Sequence, residues 1–241
     1  MHRVLIDPTT LPTPAPAEND SIILEGDEAR HLTRARRANE GDKVEALDAA
    51  GARILATIES IDRHKRGDHI TLRINAVSTE PPMNPSIEVW SASPKGDRLA
   101  HMIEELSQVG VALWQPILTE RSVVEPRDNK IDRLRRIARE SIKQCGRAWA
   151  MEIAEPLPFD AALTPATDAR TLIADPTGQP LTSMVGSNRV RILIGPEGGW
   201  SDDERARARS AAVEPVRVGR HIMRIETAAV VAAGLVAAFE H

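Results

Sequence analysis

Apolar and polar positions alternate through the first third of the chain, and then the period changes. "RVLID", "SIIL", "KVEAL", "ARILATIESI" and "HITLRINAV" are β-branched or alternating, the period-two pattern of half-buried strands. Pro8, Pro12, Pro14, Pro16, Gly26 and the pairs Gly41-Asp42 and Gly67-Asp68 punctuate them, and these residue types supply turns. One helix is expected at about residues 27–38. Several short strands with a single helix predict a small β-barrel over residues 1–78. "TEPPMNP", residues 79–85, is a proline-rich break and the expected linker.

Over residues 86–241 strand-like and helix-like segments alternate. "SIEVWSAS" precedes "DRLAHMIEELSQVG", in which Leu99, Met102, Ile103, Leu106 and Val109 share one helical face. "LWQPILT" leads to a helix around 131–146 with Ile131, Leu134, Ile137, Ala138, Ile142 and Cys145 inward. "ARTLIADP", "RVRILIG" and "EPVRVG" read as further strands. This βαβα rhythm predicts a parallel sheet covered on both faces. The last segment, "ETAAVVAAGLVAAFE", is apolar almost all round. A helix of that kind is buried in the core or against another subunit.

Composition narrows the function classes. The 241 residues are 41% hydrophobic and 27% charged, ordinary for a soluble globular protein. No segment reads as a secretory signal or a bilayer span, and a cytoplasmic location is expected. A single cysteine, Cys145, excludes an internal disulfide and a cysteine-based zinc cluster, and its helical face predicts a buried filler. No metal site is expected.

The net charge of −4 gives no global basicity. Two local patches stand against it. "ARHLTRARR" gathers Arg30, His31, Arg34, Arg36 and Arg37, and Arg135, Arg139, Lys143 and Arg147 recur at i+4 spacing. Each patch reads as a solvated face or as a phosphate-binding stripe. With no Tyr, two Phe and four Trp, base stacking on several rings is not available. RNA, if bound, would be held through phosphates and shape.

Three loops stand where parallel sheets bind ligands, after strands: "ADPTG" (174–178), "GPEGG" (195–199) and "VGRHIMR" (218–224). Neither nucleotide-binding glycine motif, G-x-G-x-x-G or G-x-x-x-x-G-K-[ST], occurs. Ser201 and Glu204 form a capping box, and Glu197, Asp202 and Asp203 would repel a polyphosphate. The glycine loop suits a neutral or cationic ligand approached by bare backbone. A tight turn before a well-capped helix explains the same residues.

"LIGPEGGWSDDE" followed by "VRVGRHIMRIETAAVVAAGLVA" resembles the two signature segments of the SPOUT-type RsmE family, the 16S ribosomal RNA (uracil-N3)-methyltransferases. "KGDRLAHMIEELSQVGVALWQPILTERSVV", "RLRRIARESIKQCGR" and "HLTRARRANEGDKVEALDAAG" follow that family's order. The resemblance implies an α/β protein with an N-terminal PUA-like β-barrel (1–78) and a SPOUT α/β domain with a C-terminal trefoil knot (86–241). It also implies a homodimer, S-adenosylmethionine as cofactor, and 16S ribosomal RNA of the small subunit as partner. Cofactor residues implied are Asp175, Ile194, Gly195, Pro196, Glu197, Gly198, Gly199, Val218, Gly219, Ile222 and Met223. The RNA-binding set is Arg30, Arg34, Arg36, Arg37, Arg135, Arg139, Lys143, Arg147 and His221.

Methylation at uracil N3 needs a positioned base and stabilised charge on the uracil carbonyl oxygens. Arg224 is the candidate for that charge, because its planar fork stays protonated. Glu226 either orients Arg224, accepts the N3 proton, or caps the last helix. The chain departs from the family pattern at His221 for Arg, Met223 for Leu, Glu105 for Lys, Gln108 for Glu and Met151 for Pro. A dimeric RNA-binding module without catalysis, and a SPOUT enzyme acting on another RNA, are the competing readings.

Overall fold

A computed structural model describes residues 1–7, 11, 16–64, 67–126, 128–166, 168–181 and 188–239. Pro8, Pro12 and Pro14 lie outside the described residues. The chain forms two compact units, Met1–Pro82 with Ile142–Ala150, and Met83–Ser141 with Met151–His241. The division falls inside the proline-rich break, and the short segment 142–150 groups with the first unit.

The first unit holds a mixed sheet in the order β1-β3-β4-β5-β2. Its strands are β1 (His2–Leu5), β2 (Ser21–Leu24), β3 (Lys43–Leu47), β4 (Ala52–His64) and β5 (Gly67–Thr79). Alternate residues of β4 and β5 point inward: Ile54, Ala56 and Ile58 face a core shared with Ile70, Leu72 and Ile74. Helix α1 starts at Gly26–Arg30 and widens into a π-helical turn over His31–Ala35, so the expected helix ends slightly early. Ala29 and Leu32 close the core. Glu45 is buried on the sheet, where Arg3 Nε reaches it at 2.6 Å and Arg53 from the other side. Burial raises its carboxyl, yet the Arg3 and Arg53 hydrogen bonds outweigh that and hold it below the ordinary glutamate value.

The second unit is built on a parallel sheet in the order β12-β10-β11-β6-β7-β8. Its strands are β6 (Ser86–Ser91), β7 (Leu113–Leu118), β8 (Glu152–Ile153), β9 (Leu157–Pro158, paired to β7), β10 (Arg170–Pro180), β11 (Arg189–Ile194) and β12 (Glu214–Arg217). The short strands β8 and β9 carry too little pattern to be seen in sequence. Period-two alternation sorts the central strands onto two faces. Ile87, Val89, Val190 and Ile192 join a core with α2 (Arg98–Val109), α3 (Asp128–Cys145) and α6 (Ile225–Ala237). Trp90 and Leu193 face the other way, onto α4 (Phe159–Ala162) and α5 (Asp202–Ser210). The predicted two-faced parallel sheet is what forms.

Two expectations about α3 fail. Cys145 is exposed, because α3 ends there and Gly146 turns the chain away at φ 82°. The inward stripe stops at Ile142, which packs with Leu5 and Leu47. The basic stripe is shorter than expected: Arg135, Arg139 and Lys143 keep their i+4 spacing on α3, and Arg147 lies past its last turn.

Candidate functional site

In a parallel sheet every strand ends on the same edge, so the loops after β6, β7, β10, β11 and β12 are neighbours by construction. Residues 195–199 and 218–224 are two of these; residues 174–178, expected as a loop, lie instead inside β10, at the irregular stretch where its register against β12 shifts. Trp200 is the peg between residues 195–199 and 174–178: its Nε1 donates to the Ala174 carbonyl at 2.9 Å. A Cβ at Gly195 would lie 2.9 Å from the Trp200 ring, which is why that position is glycine. Gly199 makes the turn at φ 67° and donates to the Pro196 carbonyl at 2.8 Å.

Charged side chains lock these loops. Arg205 Nε donates to Asp175 Oδ2 at 2.8 Å, and its Nη1 to the Trp200 carbonyl at 2.7 Å. Burial raises the Asp175 carboxyl, but hydrogen bonds from Thr177 and Arg205 outweigh it and keep it below the ordinary aspartate value. The capping box is present: Glu204 N donates to Ser201 Oγ at 3.2 Å and Ser201 N to Glu204 Oε2 at 2.8 Å. Glu204 is fully buried, and its Oε1 also accepts from Glu120 N at 2.9 Å, tying in the loop after β7. From that loop Arg121 Nη1 donates to the Gly198 carbonyl at 2.8 Å. Asp202 and Asp203 point into solvent. Of the acidic cluster outside the glycine loop, only Glu204 turns inward, and it is spent on backbone.

Arg98, the first residue of α2, stands between two carboxylates. Nη1 is 3.4 Å from Glu226 Oε1 and Nη2 is 3.6 Å from Glu197 Oε1. Sequence reading missed Arg98 and Arg121. Their only signal is "KGDR" and "TERS", short stretches that match no binding motif by themselves. Glu226 pairs with Arg98 rather than with Arg224, so the expected orientation of Arg224 by Glu226 is not seen. Arg224 occupies the N-cap of α6, its side chain exposed and without a hydrogen bond or ion pair among the described residues. Two buried oxygens, Glu226 Oε2 and Ser93 Oγ in the loop after β6, have no hydrogen-bond partner among the described residues. Buried polar atoms are normally hydrogen-bonded, so such orphans mark a place for a ligand.

The third loop is open. Val218, Gly219 and Met223 are half-buried, whereas Arg220 and His221 are exposed and Ile222 is 90% exposed. Met223 folds back over Gly219.

The basic candidates divide sharply. Arg135 is occupied by Glu155, Asp132 and the Ile153 carbonyl. Lys143 Nζ binds Glu28 Oε1 at 2.7 Å. Arg147 is half-buried, and burial lowers its guanidinium from the ordinary value. Arg139 is exposed without a described partner. In the first unit Arg30 pairs with Asp27 at 3.1 Å, Arg36 is exposed, and Arg34 and Arg37 line a cleft. Among the described residues no cluster of three metal-ligating side chains occurs, and no helix is long and apolar enough to cross a membrane.

A family profile described as "RNA methyltransferase domain" matches residues 81–237, all of the strand-end loops included. The chain belongs to the RNA methyltransferase family. A second profile, "RNA methyltransferase PUA domain", matches residues 24–65. Among curated RNA methyltransferases, ribosomal RNA small subunit methyltransferase E of Synechocystis sp. is 29% identical over 220 residues, covering 88% of this chain and 71% of that protein. The protein of the same name from Bacillus subtilis is 24% identical, covering 88% and 87%. Among solved structures, a probable rRNA-methyltransferase from Porphyromonas gingivalis is 31% identical with TM-score 0.78, covering 89% and 91%. The Neisseria gonorrhoeae ribosomal RNA small subunit methyltransferase E, bound to S-adenosyl methionine, shares the fold with TM-score 0.83 at 22% identity, covering 97% and 95%.

Proposed function

We propose that this RNA methyltransferase transfers the methyl group of S-adenosylmethionine to N3 of a uridine in 16S ribosomal RNA of the small subunit. The observation that carries the reading is the Arg98 bridge from Glu197 to Glu226, which brings a glycine loop and a partnerless buried carboxylate oxygen into one place. The named relatives supply the substrate class.

The residues present suit the cofactor. Backbone at Ile194–Gly199 and at Val218–Met223 would hold an uncharged adenosine, and Glu197 and Glu226 would suit a sulfonium. When bound, the sulfonium supplies a methyl group with a neutral thioether as leaving group, which needs no metal ion. The protein's own work is on the base. Uracil N3 is protonated at neutral pH and attacks once that proton leaves. Glu226 Oε2 is the proton acceptor, held by Arg98 through its other oxygen. Arg224, free to swing from the α6 N-cap, stabilises charge on a uracil carbonyl oxygen.

We infer further that the second unit carries the trefoil knot of its SPOUT relatives. Strand β12 sits at the sheet edge outside β10, yet the following helix α6 packs back on β6, β11 and α2. The chain therefore travels back past two strands. The first unit is proposed as the PUA-like RNA-holding domain. Helix α6 buries Ala229, Ala232, Ala233 and Val236 but leaves Val231 exposed, which supports a homodimer on the remaining apolar face; light scattering tests it. A cytoplasmic location goes with a ribosomal substrate.

The function is tested by mass spectrometry of ribosomal RNA from cells lacking the protein, alongside calorimetry with S-adenosylmethionine. Loss of one N3-methyluridine and measurable binding are expected. Unchanged ribosomal RNA would overturn the substrate, and absent heat the cofactor.

A further inference from the structure

We propose that the buried hydroxyl of Ser93 is a substrate contact: it donates to a carbonyl oxygen of the target uracil and, with Glu226, reads the imide edge of that base. This role rests on the reading that the protein methylates uridine at N3, and it adds which side chains tell uracil from cytosine.

Ser93 is 5% exposed, and its Oγ has no hydrogen-bond partner among the described residues. The other buried serines there are all satisfied. Ser91 Oγ accepts from Trp114 Nε1 at 2.9 Å, Ser141 Oγ donates to Ser107 Oγ at 2.6 Å, and Ser201 caps α5. Two further buried atoms lack a hydrogen bond, Arg189 Nε and Arg207 Nε, but each faces a carboxylate, Glu88 at 2.8 Å and Asp203 at 3.1 Å. Ser93 Oγ and Glu226 Oε2 are left among the described residues. A hydroxyl sealed from water without a partner costs stability, and alanine would fill the same space without that cost. Serine kept at such a position points to a partner that arrives with a ligand.

The place of Ser93 in the fold says which ligand. Ala92 N donates to the Ile194 carbonyl at 3.0 Å, so the chain enters the loop after β6 beside the start of the glycine loop. At the far end of the same loop Arg98 reaches Glu197 and Glu226. Ser93 is thus on a short stretch tied at one end to the glycine loop and at the other to the proton-accepting carboxylate. The two orphan oxygens match one base. N3 of uracil carries a hydrogen between two carbonyl oxygens, so that edge runs acceptor, donor, acceptor. Glu226 Oε2 takes the N3 hydrogen, and the Ser93 hydroxyl donates to one flanking oxygen. The other is left to Arg224. Cytosine presents a lone pair at N3, which a carboxylate oxygen repels. As N3 gives its proton to Glu226, negative charge spreads onto the flanking oxygens and the Ser93 hydrogen bond strengthens.

The test compares Ser93→Ala and Ser93→Cys with wild type on small ribosomal subunits from cells lacking the protein. Ser93→Ala is expected to melt at or above the wild-type temperature, because an unsatisfied hydroxyl is removed. Its single-turnover methylation at saturating subunits should fall about tenfold, the scale of one hydrogen bond. Ser93→Cys, with a weak S–H donor in the same place, should fall in between. Calorimetric affinity for S-adenosylmethionine should not change. On subunits carrying cytidine at the methylated position, wild type should leave the base unmodified. A wild-type rate in folded Ser93→Ala would overturn the proposal. So would a loss of cofactor affinity that accounts for the whole effect, since the hydroxyl would then belong to the cofactor. Methylation of the cytidine as fast as the uridine would overturn it too. If wild type methylates no uridine, the proposed function falls and this role with it. Equal methylation by wild type and Ser93→Ala sinks the role of Ser93 alone.

Discussion

Arg98 Nη1 lies 3.4 Å from Glu226 Oε1, joining the first turn of α2 to the first turn of α6. The same guanidinium reaches Glu197 Oε1 at 3.6 Å, so one side chain spans the glycine loop and the last helix. If Arg98 holds Glu226 in place for proton transfer, the two act as a unit. Arg98→Ala should lower single-turnover methylation about tenfold to a hundredfold, with Arg98→Lys rescuing only in part because an ammonium lacks the fork. A double-mutant cycle with Glu226→Gln should show coupling on the order of 1 kcal/mol or more. Additive losses would mean that Arg98 serves stability alone.

Arg224 offers a cleaner separation of chemistry from folding. Its exposed side chain has no described partner, so Arg224→Ala should melt as wild type does. Turnover should drop about a hundredfold, the scale of losing one oxyanion-type donor. Cofactor affinity should hardly change. Near-normal turnover in the folded, cofactor-bound variant would remove Arg224 from the mechanism.

Two glycines, one inside β10 and one in the loop after β12, should respond very differently to alanine. A Cβ at Gly178 would sit 2.6 Å from the backbone of Pro215 and Val216, forcing β10 and β12 apart. Gly178→Ala should cost about 1–3 kcal/mol, as overpacking does. At Gly219 the added Cβ meets only the methyl end of Met223, and that flexible chain moves aside. Gly219→Ala should therefore melt near wild type. Calorimetric melting of the pair checks the order, and the reverse order would refute it.

Asp175 carries a pH signature. Its folded-state carboxyl is held below the ordinary value, with burial opposed by the hydrogen bonds from Thr177 and Arg205. The unfolded chain therefore takes up this proton first as pH falls. The stabilisation is complete above about pH 4, the ordinary aspartate range, and is lost as pH drops through the lower folded value. Asp175→Asn should cost about 1–3 kcal/mol at neutral pH. The gap to wild type should narrow below pH ~4. A gap constant from neutral to acidic pH would show that the charge contributes nothing.

Much of this molecule is legible in its sequence because the signals are local. Strands β3 to β5 follow from alternation, β6 and β7 from the βα rhythm, the capping box from Ser201 and Glu204 three residues apart, and the edge of the sheet that holds the loops from the same rhythm. Even the choice of glycine at Gly199 follows from a turn of a few residues. What failed did so where partners are far apart in sequence. Arg98 and Glu226 are separated by 128 positions, and nothing near either residue announces the other. The i+4 spacing of Arg135, Arg139, Lys143 and Arg147 looked like one charged stripe. Packing gave Lys143 to Glu28 and Arg135 to Glu155, and ended the helix before Arg147. Cys145 fell on the apolar face by periodicity and is exposed because the helix stops beneath it. Periodicity sets which face a residue shares and capping sets where a helix begins. Which charges meet, and which are left free for a ligand, is decided by the tertiary fold, because an ion pair forms wherever packing brings two side chains within reach.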